Sequence, residues 1–156
     1  MRRLTAALTM VFGLTALVLA QTPAPTNMDI LRQKVKADKK LVVAENLMLT
    51  EAEGAKFWPV YDAYQKELQQ INERLKAVIL AYADAYNKGP VTDATAKKLI
   101  EDASAVDDAE ATLRRTALPK ILAVLPAAKA ARYVQIENKI RAVIRYELAA
   151  GIPLVQ

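Results

Sequence analysis

Eight apolar side chains, Phe57, Tyr61, Tyr64, Leu68, Ile71, Leu75, Val78 and Tyr82, recur at alternating intervals of four and three residues. That spacing holds one seam on a single face of a long helix, so the chain must bury the seam against another helix. Thr50 and Glu53 stand just before it in the capping-box arrangement, in which each side chain satisfies a backbone donor near the other. The second helix is therefore expected from Thr50 to about Asn87, where Lys88-Gly89-Pro90 breaks it. At 1.5 Å per residue it would be on the order of 55 Å long.

The flanking segments read as three more helices. The first is expected from an N-cap at Asn27 to about Asn46, with Ile30, Leu31, Val35, Val42 and Leu47 on an intermittent apolar face. The third begins near Thr92 or Asp93 and carries acids early and bases late, as the helix dipole favours. Its seam is Leu99, Ala103, Val106, Leu113, Ala117, Ile121 and Val124. A fourth opens at Leu125-Pro126 with proline in its first position, carries Tyr133, Ile136, Ile140, Val143, Ile144 and Leu148, and closes at Gly151.

The expected fold is all-α: four helices, of which the second and third form a long antiparallel hairpin about Gly89. Pro59 and Pro119 each remove a ladder hydrogen bond, and they lie equally far from Gly89. Two readings stay open, a hairpin bent at one level or prolines that end shorter helices.

Residues 1–20 read as an export signal. Arg2 and Arg3 form the positive start, Leu4 to Leu19 the apolar stretch, and Val18-Leu19-Ala20 a small-residue cleavage site. The stretch is too short and too interrupted for a membrane anchor. Residues 21–27, with Pro23 and Pro25, are a flexible lead, and 28–156 a single helical domain, placed in the periplasm after cleavage near Ala20. Loss of the leader's two arginines lowers the net charge from +5 to +3. The remaining positive charge gathers at the two ends, densest at Arg32, Lys34, Lys36, Lys39 and Lys40.

Function classes narrow quickly. With neither His nor Cys in the chain, the usual transition-metal ligands and thiol nucleophiles are missing, and adjacent acids such as Asp107 and Asp108 diverge on a helix. The expectation is a non-enzyme with no metal and no cofactor. Nucleic acid is a poor partner for an exported chain without a binding motif. Six of the nine aromatics lie on the second helix, and most belong to the seam, in core or in a dimer interface. Trp58 stands off the seam beside Pro59, where an exposed indole would anchor an unfolded or partner chain.

Leu49-Thr50-Glu51-Ala52-Glu53 and Leu125-Pro126-Ala127-Ala128-Lys129 resemble the paired Leu-Thr-x-x-Gln motifs of the Spy/CpxP-like family of bacterial periplasmic proteins. Phe57-Trp58-Pro59-Val60-Tyr61 and the ending Tyr146 to Pro153 are similar to an uncharacterised proteobacterial branch of it. Glu53 replaces Gln in the first copy, and the second copy retains neither Thr nor Gln. The resemblance implies a cradle-shaped homodimer of bent hairpins that acts as an ATP-independent chaperone, a stress adaptor restraining a sensor kinase, or a metal sensor. The lack of His argues against the last. Arg32, Lys34, Lys36, Lys39, Lys40 and Trp58 are then the candidate client- or partner-binding residues, with one specific envelope partner as the alternative to general clients.

Overall fold

A computed structural model describes residues 38–156. The leader, the lead segment and the expected opening of the first helix, with Ile30, Leu31, Arg32, Lys34, Val35 and Lys36, lie outside the described residues. Four helices follow: α1 (Lys39–Leu47), α2 (Glu51–Asn87), α3 (Asp93–Val124) and α4 (Ala127–Gly151).

The expected first helix is interrupted at Asp38, and its expected start at Asn27 lies outside the described residues. Asp38 has extended backbone (φ −161°) and its carboxylate accepts the Leu41 N–H at 3.0 Å, so Asp38 is the N-cap and no helix continues through it from Asn27. The helix ends at Met48, whose φ of 49° lies in the left-handed region usually left to glycine. That turn lets the chain reverse within three residues and enter α2.

Thr50 caps α2 with both halves of the capping box in place. Its Oγ1 accepts the Glu53 N–H at 3.3 Å, and the Glu53 carboxylate accepts the Thr50 N–H at 2.8 Å. α2 runs 37 residues without interruption through Pro59, and α3 runs 32 through Pro119. The prolines therefore do not end shorter helices. Each frees the carbonyl four residues earlier, at Ala55 and Arg115, and both of those residues are exposed, so water can take the lost bond. Pro59 also shares a shallow groove of about 230 Å³ with Thr116, Ala117 and Lys120, which puts the two prolines at one level of the hairpin.

Gly89, at φ 129°, makes the tight reversal between the two long helices, and Thr92 caps α3 through the Thr95 N–H. α2 and α3 pack along their length as an antiparallel pair. All eight seam residues of α2 are buried or half-buried, as are all seven of α3. Leu125, held extended by the proline after it, links α3 to α4. Pro126 keeps ψ at 144°, so it serves as N-cap and the first helical position falls to Ala127, one residue later than the sequence implies.

The core gathers at one end. Val42, Val43 and Leu47 of α1, Phe57, Tyr61 and Tyr64 of α2, Leu113, Ala117 and Ile121 of α3, and Ala130, Tyr133 and Ile140 of α4 form a single buried cluster with Leu125. Phe57 is at its centre, completely buried, edge-on to Trp58 and Tyr133 with ring centroids 5.1 Å away in both cases. No helix among the described residues is long and apolar enough to cross a membrane.

Candidate functional site

The two motif segments meet in space. Leu49 packs against the core and Leu125 is buried in it, and the fifth residues of the segments, Glu53 and Lys129, form an ion pair across 76 positions of sequence. Lys129 also donates to the Met48 carbonyl at 3.2 Å, and Arg132, one turn further, donates to the Asn46 carbonyl at 2.6 Å. Two cations from the first turns of α4 thus cover the open carbonyls at the end of α1. The Lys129 hydrogen bond, with the Thr50 N–H second, holds the Glu53 carboxyl below its usual range. Thr50, Glu53, Lys129 and Pro126 therefore join three helix ends at one junction.

Of the basic and aromatic residues singled out from the sequence, Lys39, Lys40 and Trp58 lie among the described residues, and these three have partners inside the molecule. Lys39 pairs with Glu137 at 2.8 Å and donates to Gln65 at 3.1 Å. Lys40 pairs with Asp62 at 2.7 Å and stands 5.2 Å from the Trp58 ring centroid and 5.8 Å from that of Tyr61. Trp58 is half-buried against the core. A Cβ at Gly54, one turn earlier, would come within 3.3 Å of the indole Nε1, so the missing side chain at Gly54 seats the ring. Trp58 is thus a packed aromatic, with Lys40 covering it.

A groove that sequence reasoning missed opens between α2 and α4. About 300 Å³ in volume, it is lined by the cations Lys39, Arg114, Arg141 and Arg145 and the carboxylates Glu110 and Glu137. Leu68, Leu75, Ile140, Ile144 and Leu148 supply its apolar lining. Glu110 is shared by three guanidiniums, Arg114 at 2.8 Å, Arg145 at 3.0 Å and Arg141 at 3.7 Å, and Arg145 also meets Asp107 at 2.6 Å. Two carboxylates, Glu110 and Asp107, against three guanidiniums leave one positive charge over. The signal was present in the basic excess after residue 125 and in the i, i+4 pairs Arg141/Arg145 and Ile140/Ile144, which put charge and apolar surface on neighbouring stripes of one helix.

Beside the groove, three tyrosines cluster under the wall. Burial, then the charge of Glu137, pushes the Tyr64 phenol up to about 12, and the same two causes in the same order drive Tyr61 and Tyr133 higher. The Tyr133 hydroxyl is buried without a hydrogen-bond partner among the described residues. Compared with protein families, curated proteins and solved structures, the chain matches none of them.

Proposed function

We propose that this protein is a non-enzymatic, ATP-independent periplasmic chaperone or envelope stress-response protein that holds unfolded polypeptide in the groove between α2 and α4. The observation that carries the reading is the composition of that groove, four cations against two lining carboxylates and the Asp107 that pairs with Arg145, over aliphatic side chains. Uncompensated cations attract acidic segments over about a Debye length, roughly 8–10 Å at physiological salt. The aliphatic lining then holds exposed apolar side chains without demanding a particular sequence. The prolines at one level of the hairpin bend both arms together, and two chains pair into a cradle that sets two such grooves on a common concave side. Lys39 contributes to the groove, Lys40 and Trp58 support the wall near it, and Arg32, Lys34 and Lys36 add to the same basic end of the chain.

The test is a client aggregation assay. At equal molarity and low salt the protein should slow the aggregation of a denatured acidic client, and the protection should shrink as salt is raised toward 0.5 M. Failure to slow aggregation at low salt overturns the reading. A single saturable partner in a pull-down, together with no general protection, would favour an adaptor for one envelope protein such as a sensor domain.

A further inference from the structure

A second, more apolar cleft lies between α3 and α4, on the other side of the wall formed by Tyr64, Arg114 and Glu137. It has a volume of about 410 Å³, within the range of small-molecule sites. Ala111, Leu118, Ile121 and Val134 line it together with the Tyr64 and Tyr133 rings. Arg114 and Arg115 also border it. Arg115 donates to Thr112 Oγ1 at 3.0 Å and has no carboxylate partner among the described residues, while Arg114 shares Glu110 with two other arginines. The one carboxylate lining the cleft, Glu137, is already held by Lys39 at 2.8 Å and by Gln65 at 3.1 Å.

We infer that this cleft is a binding site for a small amphiphilic carboxylate, its apolar body between α3 and α4 and its acid group on Arg115. The charge balance selects the acid. An uncharged apolar ligand would leave the Arg115 guanidinium as it is, whereas a carboxylate gives it the bidentate partner it lacks. A cation would meet Arg114 and Arg115. Aliphatic side chains and the tyrosine rings make up most of the lining and select an apolar body, while the polar part, Arg114, Arg115 and Asn138, suits the acid end. The inference stands apart from the client groove, and either can fail alone.

Calorimetric titration of the purified protein with decanoate, kept below its micelle concentration, tests it. Saturable binding at one site per chain is expected, with decanol bound about tenfold more weakly for want of one charge-assisted contact. Arg115→Gln should remove that difference. A spin-labelled fatty acid should broaden the backbone amide signals of residues 111–121 and 133–138 in preference to those of 68–75, a readout that needs no variant. Binding that never saturates, equal affinity for decanoate and decanol, or broadening centred on the groove at 68–75 would overturn the site. So would an acidic peptide that occupies the cleft while decanoate does not.

Discussion

The two ends of the hairpin are built on different principles. At the end where α1, α2, α3 and α4 meet, every member of the main buried cluster lies within residues 42–64 and 113–140. Towards the Gly89 turn the seam continues through Leu75, Val78 and Tyr82, but these are only half-buried and belong to no such cluster. The ion pairs divide the same way. Between residues 68 and 106 they are Lys76–Glu73, Lys88–Asp84, Lys97–Glu101 and Lys98–Asp102, all exposed and all within one helix. At the core end Lys39–Glu137, Lys40–Asp62 and Lys129–Glu53 each join two helices. Pairs within one helix strengthen that helix by about 0.3–0.5 kcal/mol and say nothing about its neighbour. The core end therefore fixes the tertiary arrangement, and the turn end is an arm of α2 and α3 that it supports, touched by the end of α4 and by the chain after it through Tyr82 and Tyr86.

The sharpest way to break this contrast is truncation at matched seam positions. Phe57→Ala removes a ring with no exposed surface and should destabilise the protein by about 3–5 kcal/mol. Leu75→Ala, on the same seam but half-buried, should cost well under half of that, with local loosening of the arm. Chemical denaturation of the two variants, with amide exchange to locate the loosening, decides it. Equal losses would mean that the arm carries as much of the fold as the core end.

Next in size is an alkaline transition confined to the core end. Tyr61, Tyr64 and Tyr133 are all raised above the ordinary phenol value of 10.0, Tyr64 to about 12. For a group whose ionised form is disfavoured by folding, the unfolded chain gives up its proton first. Stability is then unaffected below pH 10 and falls as pH rises past it, by at most about 1.4 kcal/mol per pH unit for each tyrosine. Phenolate absorbance should therefore appear together with loss of helix, not before it. Tyr64→Phe should flatten the decline between pH 10 and 12, and phenolate formation in a fully helical protein would contradict the burial of the cluster.

What could be read from sequence divides by range. The seam, the capping box and the Gly89 turn were legible because each is decided by residues within a turn or two of one another. The break at Asp38 was not, because an Asp within a run of helix-forming residues gives no sign by itself that it caps a new helix. The seating of Trp58 was also hidden. Gly54 makes room for it and Lys40 lies over it from another helix, and neither relation leaves a periodic trace. The groove arginines were visible as composition only, since their convergence on Glu110 depends on how α4 is laid against α3. The pairing of Glu53 with Lys129 was the least legible, because a residue that completes a local capping box gives no sign of a second partner 76 positions away.

That double role gives the smallest and most selective test. Thr50 and Thr92 cap the two long helices at opposite ends of the hairpin, each accepting the N–H of the third residue after it at 3.3 Å. Removing either hydroxyl, in Thr50→Ala or Thr92→Ala, should cost about 1 kcal/mol. Only the Thr50 cap is reciprocated by a carboxylate, and only that carboxylate reaches another helix. Because the folded Glu53 is held below its ordinary value of 4.5, its contribution is complete above that value and is lost as pH falls through the depressed folded one. Acid should thus weaken the core-end junction and leave the Thr92 cap alone. In thermal melts between pH 7 and pH 3, Glu53→Gln should melt lower at neutral pH and show a shallower acid decline, and the Glu53→Gln, Lys129→Met cycle should show coupling at pH 7 that vanishes at pH 3. Coupling that persists at pH 3 would mean that packing, not charge, joins α4 to the start of α2.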